Sequence, residues 1–251
     1  MDRKSVMEEV KQNGMALEYV PDPFKNDKKI VMAAVQQNGW ALQYADFQDK
    51  DIVMAAVQQY GPSLRYAPEF QEDKDVVMAA VKQDGTALRY APAFQDDKEF
   101  VMVAVKKNGW VLEYADFQDK DVVMAAVKEN GLALEYAEFQ DREVVMAAVH
   151  QNGMALKFAG ILRADPKIAC SAVRNSPHAL RFVDHSLDKN NEFIKCMMKY
   201  NVDPGGRAVL KGHIMDRQSL KNTAKSLIDP MKVVNDFLGG TRKRRKRTRR
   251  R

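Results

Sequence analysis

The chain has 251 residues, 45% of them apolar, with 40 lysines and arginines against 34 acids and a net charge of +6. That is enough apolar material for a buried core, but the longest uniform apolar runs, such as "VVMAAV", fall far short of the roughly 20 residues that span a bilayer. The start, "MDRKSVMEEV", lacks the apolar stretch of a signal peptide, and two distant cysteines, Cys170 and Cys196, do not make a disulfide framework, so a soluble intracellular protein in a reducing compartment is expected.

The elements recur in chain order. Aligned on the aspartate before each apolar run, copies begin at Asp2, Asp27, Asp49, Asp73, Asp97, Asp119, Asp141 and Asp165, and a worn ninth begins near Asp188. In the copy from Asp119, that residue suits an N-cap and Asp121 adds charge where the helix dipole favours it. A helix of about ten residues is predicted up to Asn130, with Gly131 as a left-handed stop. "LALEYA" then predicts a second, shorter helix, and "EFQD" a turn into the next copy. The first helix is apolar nearly all round its middle, which predicts neighbours on several sides. One copy cannot bury enough apolar surface to offset the entropy of ordering itself.

The expected fold class is therefore all-α, an α-solenoid of short helix-turn-helix repeats over residues 2–187. Copy one carries Glu8 and Glu9 where later copies carry alanine pairs, which suits an end with no preceding neighbour. In copy eight the pattern decays: Cys170 replaces methionine, Ser176 replaces asparagine and Pro177 replaces glycine. Residues 188–240 are expected to form the degenerate copy and a helical cap, with two helices within 215–238. Residues 241–251 are expected to form a disordered basic tail, since "TRKRRKRTRRR" has nothing apolar to bury.

The string "DKDVVMAAVKENGLALEYA" closely resembles the repeats catalogued as domain of unknown function 4116, found in large DNA viruses, unicellular algae and some bacteria. The resemblance covers residues 2–187. It implies tandem short helices and no activity, because that family has no established catalytic residues or ligand.

No constellation for chemistry stands out. The methionine row (Met7, Met32, Met54, Met78, Met102, Met124, Met146) lacks a His or Cys companion and reads as core filler. Asp-x-Asp pairs read as capping and not as a calcium loop. His150, His178, His185 and His213 share no metal-binding spacing, and "PGGRAVLKGH" at 204–213 fails the phosphate-loop spacing. The expectation is no catalytic residue, no metal, no cofactor and no small-molecule substrate.

Two variable slots suggest surface. The slot after the glycine holds both tryptophans, Trp40 and Trp110, which either pack at the helix corner or anchor a partner in a groove. The slot after the leucine holds Arg65 and Arg89 among residues of changing sign, neither a base-reading code nor a continuous phosphate track. The helix starts should align into an acidic ridge, able to dock a basic segment, and the opposite edge should be weakly basic.

Without the nine cations Arg242, Lys243, Arg244, Arg245, Lys246, Arg247, Arg249, Arg250 and Arg251, 40 less 9 leaves 31 against 34 acids, so the body is near −3. That tail reads as a nuclear import signal, a phosphate-contacting arm for nucleic acid, or a segment that binds an anionic membrane or an acidic protein. The functional expectation is a non-enzymatic protein-binding scaffold with this tail attached. The alternatives are a structural virion or chromatin-associated protein that packages nucleic acid, and an enzyme with its site in 185–240.

Overall fold

The computed structural model describes residues 2–199. The expected helices within 215–238, the connector at 204–213 and the basic tail lie outside them. The α-helices are α1 (Arg3–Gln12), the one-turn α2 (Asp22–Lys25), α3 (Lys28–Gln37), α4 (Lys50–Gln59), α5 (Lys74–Gln83), α6 (Lys98–Lys107), α7 (Lys120–Glu129), α8 (Arg142–Gln151), α9 (Pro166–Asn175) and α10 (Asn191–Lys199). Among the described residues there is no strand. After each long helix from α1 to α9 comes a 3₁₀ helix, such as Gly109–Tyr114 after α6 and Gly131–Tyr136 after α7. Successive α-helices pack side by side, and so do successive 3₁₀ helices, so the chain is an α-solenoid of two layers. The predicted second helix is thus present but wound more tightly.

Local chemistry sets the element lengths. In all eight copies the side chain of the leading aspartate accepts from backbone N–H groups of the first turn. The degenerate ninth copy is capped by Asn190, which accepts from Phe193 N at 3.0 Å, and not by Asp188. Asn130 ends α7 and opens the next helix: its N–H donates to Ala126 O at 2.8 Å, while its Oδ1 accepts from Leu132 N at 3.0 Å. The glutamine of the connecting turn closes the 3₁₀ helix, since Gln140 Nε2 donates to Leu134 O and Ala137 O at 3.0 and 3.1 Å.

Gly131 is not a left-handed stop. Among the described glycines only Gly160 has positive φ, at 51°. The chain turns instead through extended Asn130, at φ −140° and ψ 108°. Gly131 is needed for a different reason: a Cβ there would lie 2.4 Å from Ala148 O in α8. The same approach recurs at Gly14, Gly39, Gly61, Gly85, Gly109 and Gly153, always onto an alanine carbonyl of the next copy. A side-chain clasp reinforces it. Gln151 Oε1 accepts from Gly131 N at 2.7 Å while Gln151 Nε2 donates to Glu129 O at 3.1 Å. Gln83 and Asn175 clasp their preceding copies in the same way.

Between the layers lies one continuous core. In α7 the residues Val122, Val123, Ala126 and Val127 are fully buried, as are Ala133 and Leu134 of the following 3₁₀ helix. Met124 and its counterparts are only half-buried and pack against the edge of this core. The helix is therefore less uniformly buried than its composition suggests. At the N-terminal end Glu8 is exposed and Glu9 half-buried, where the alanines in Glu9's slot are fully buried in α3 to α9.

The two cysteines are not independent. Cys170 on α9 is disulfide-bonded to Cys196 on α10, with Cα atoms 6.1 Å apart. Their separation of 26 residues is about one repeat, so stacking brings them side by side. The cysteine content therefore carries no argument for a reducing compartment. No described helix is long and apolar enough to cross a membrane.

Two outcomes follow from this packing. Gly131→Asn should destabilise the chain by about 1–3 kcal/mol in urea unfolding, the cost of overpacking, whereas Gly160→Asn should be tolerated because asparagine accepts a left-handed backbone. Equal effects would refute the close-approach account. Cys170 occupies the methionine slot and Cys196 a slot equivalent to Ala147. In a Cys170→Ser/Cys196→Ser background, Met124→Cys with Ala147→Cys should therefore form an intramolecular disulfide detectable by peptide mass spectrometry. Met124→Cys with Met146→Cys should not.

Candidate interaction surface

The helix starts form one edge of the solenoid. Each helix from α3 to α9 begins beside the aspartate cap of its own copy, and, except at α6, the first residue of the preceding long helix reaches across to it. Lys28 bridges Asp49 and Asp51 at 2.5 and 3.2 Å, and Lys50 bridges Asp73 and Asp75 at 3.0 and 2.8 Å. Lys120 bridges Asp141 and Glu143 at 2.7 and 2.5 Å. Lys98 pairs with Asp119, and Arg3 and Arg142 pair with Asp27 and Asp165 at 2.7 and 2.8 Å. Lys74 alone in this row, among the described residues, makes no such bridge.

The expected acidic ridge is consequently a zipper of alternating charge. Stacking puts the first helical residue of one copy opposite the cap of the next, so the cation is built in. These cations hold the Asp73, Asp119 and Asp141 carboxyls below the usual aspartate range, helped by the backbone N–H groups they cap.

The opposite edge carries the helix ends and the first residues of the 3₁₀ helices. A 3₁₀ helix has three residues per turn, so positions i and i+3 share a face. The two variable slots are three residues apart and therefore form one face: Trp40 with Gln43, Pro62 with Arg65, Thr86 with Arg89, and Trp110 with Glu113. Trp40 and Trp110 are both exposed, by 41% and 38%. They stand three copies apart and do not meet. The ring of Trp40 lies 5.1 Å from that of Tyr60 in the next copy, and Trp110 meets Tyr136 edge-on at 5.9 Å.

Arg65 and Arg89 sit in neighbouring copies and share an aromatic partner. The Arg65 guanidinium lies 5.0 Å from the Tyr66 ring centre and 5.9 Å from that of Tyr90, and Arg89 lies 5.8 Å from Tyr90. This cation–π ladder lies at the far end of the 3₁₀ helices from the tryptophan slot. Tyr114, next in the same row, has a buried hydroxyl with no hydrogen-bond partner, and burial pushes its pKa up.

An open groove of about 600 Å³ runs along this edge between Tyr60 and Trp110. Its other lining residues are Gln83, Asp84, Gly85, Lys107, Asn108, Glu129 and Asn130, drawn from copies three to six. Sequence reasoning offered a groove at Trp110 as one of two readings but missed the other residues that line it. The available signal was Tyr60, which stands where the other copies from one to seven have Asn or Asp. Among the described residues, no group of three His, Cys, Asp or Glu side chains is placed to hold a metal ion. The tail cations lie outside the described residues.

The family profile described as Domain of unknown function (DUF4116) matches residues 2–48, 49–95, 93–118 and 119–163, more than half of the chain. Three of these segments each span two structural copies. No curated protein and no solved structure matches the chain.

The charge zipper has a pH signature. Carboxyls with lowered folded-state pKa values contribute stability above the unfolded value near 3.9 and lose it as pH falls through the folded values. Thermal unfolding followed by circular dichroism should show Tm dropping between about pH 4 and pH 2. Replacing Lys28, Lys50, Lys98 and Lys120 together by Gln should flatten that drop. An unchanged profile would mean the zipper contributes nothing.

Proposed function

The chain belongs to the family described as Domain of unknown function (DUF4116), and we propose that it is a non-enzymatic scaffold that binds protein through its repeats. The observation that carries this reading is the groove between Tyr60 and Trp110, where a large aromatic side chain stays exposed on an otherwise repetitive frame. Exposed tryptophan beside a groove is the usual anchor of a protein interface. The repeats differ from one another mainly on this 3₁₀ face, while the core slots stay constant. That is the distribution expected of a frame presenting a recognition surface.

The tail has a separate role in this proposal. Its nine cations, Arg242 to Arg251, are too dense and too lacking in aromatics to read bases. They suit capture by an import receptor or non-specific contact with phosphates. Trp40, Arg65 and Arg89 extend the recognition surface toward the N-terminal copies.

The reading is tested by affinity capture from the native source with full-length protein, Trp110→Ala and residues 1–240. Trp110→Ala should reduce recovery of at least one captured protein tenfold or more, while 1–240 retains it and loses salt-sensitive nucleic acid. Tight DNA binding by residues 1–240, with no protein lost on Trp110→Ala, would overturn the scaffold in favour of nucleic-acid packaging.

A further inference from the structure

Independently of the scaffold reading, we propose that the Cys170–Cys196 disulfide is a redox-opened latch: it holds α10 against α9, and its reduction by a thiol releases α10 from the solenoid. The pair sits where the other ties between copies run out. On the zipper edge Arg142 reaches Asp165. The slot of the next cation is filled by Pro166, which has no charge to offer, and the next cap is Asn190 in place of an aspartate. At the close-approach slot Pro177 stands in place of glycine and is exposed, whereas the glycines of that slot, Gly14 to Gly153, are buried. The alanine those glycines meet, such as Ala148 in α8 and Ala172 in α9, is replaced by Met197 in α10.

α10 has little else to hold it. It buries Phe193 and Ile194, and Met197 packs at the edge of the core. A helix of nine residues is marginal by itself, and these few side chains must offset the entropy of ordering it. The chain just before it has its own ties: Leu187 is buried, and Asp184 N donates to Arg163 O at 3.3 Å. Opening the disulfide therefore frees α10 from about Asn190 onward and leaves the copies before it in place.

Both sulfurs are within reach of a reductant. Cys170 and Cys196 are half-buried and line an open hollow of about 270 Å³, together with His150, Lys167, Arg174 and Glu192. Two cations against one carboxylate favour the thiolate that forms when the bond opens. A thiolate of the reductant attacks one sulfur, forms a mixed disulfide and expels the other cysteine as thiolate, and a second reductant thiol then displaces the first. Two electrons and two protons thus convert the S–S bond to two thiols, and the reductant leaves as its own disulfide.

The oxidised full-length protein is followed by hydrogen–deuterium exchange with and without reduced glutathione, with free thiols counted by alkylation and mass spectrometry. Reduction should lower the protection of residues 191–199 at least about tenfold, since the loss of a cross-link is typically worth more than that, while α3 to α7 keep theirs. Cys170→Ser/Cys196→Ser should match the reduced protein with or without glutathione. Unchanged protection of 191–199 on reduction, a loss spread through α3 to α7, or a disulfide that glutathione opens only after unfolding in urea would each overturn the latch.

Discussion

Backbone contact between neighbouring copies governs this structure. In copies one to seven, a glycine at the start of the 3₁₀ helix that follows the long α-helix lets the backbone approach the next copy closely, with its missing Cβ about where an alanine carbonyl oxygen sits. No other residue type allows that spacing without a clash. The clasping glutamines and the salt-bridge row depend on the register it imposes. Because each contact joins only adjacent copies, stability accumulates pair by pair along the chain.

That arrangement explains why the conserved-looking features of the repeat are structural. Aspartate caps, asparagine ends and turn glutamines satisfy backbone groups that short helices would otherwise leave open. What remains free to vary is the outer face of the 3₁₀ layer and the last turn of each α-helix. The α5–α6 junction shows what such variation does. It lacks the lysine bridge at Lys74 and, because Lys107 fills the slot of the clasping Gln83 and Gln151, the clasp onto Gly85, and the Phe94 and Phe100 rings meet there at a tilt, 4.4 Å between centres. The groove opens beside this junction.

The two edges then acquire different electrostatics from one rule of stacking. At the helix starts, a cation on one copy meets an anion on the next, so the acidic edge is closed by its own neighbours. At the helix ends, Lys107 complements the helix dipole and shares the groove with Asp84 and Glu129. That edge therefore mixes both signs of charge with exposed aromatic rings.

The repeat, the helix lengths, the aspartate caps and the stacked architecture were legible in the sequence, because they rest on local spacing and on the burial each copy requires. Trp40, Trp110, Arg65 and Arg89 were legible as variable slots for the same reason. The true role of Gly131, the interleaving of Lys120 with Asp141 and Glu143, the pairing of Cys170 with Cys196 and the set of residues that lines the groove between Tyr60 and Trp110 were not. Each joins residues about a repeat or more apart, and period alone does not say which slot of one copy lies against which slot of the next. Only the lateral register between copies decides that, and it is set by the close contact of glycine backbone and helix carbonyl.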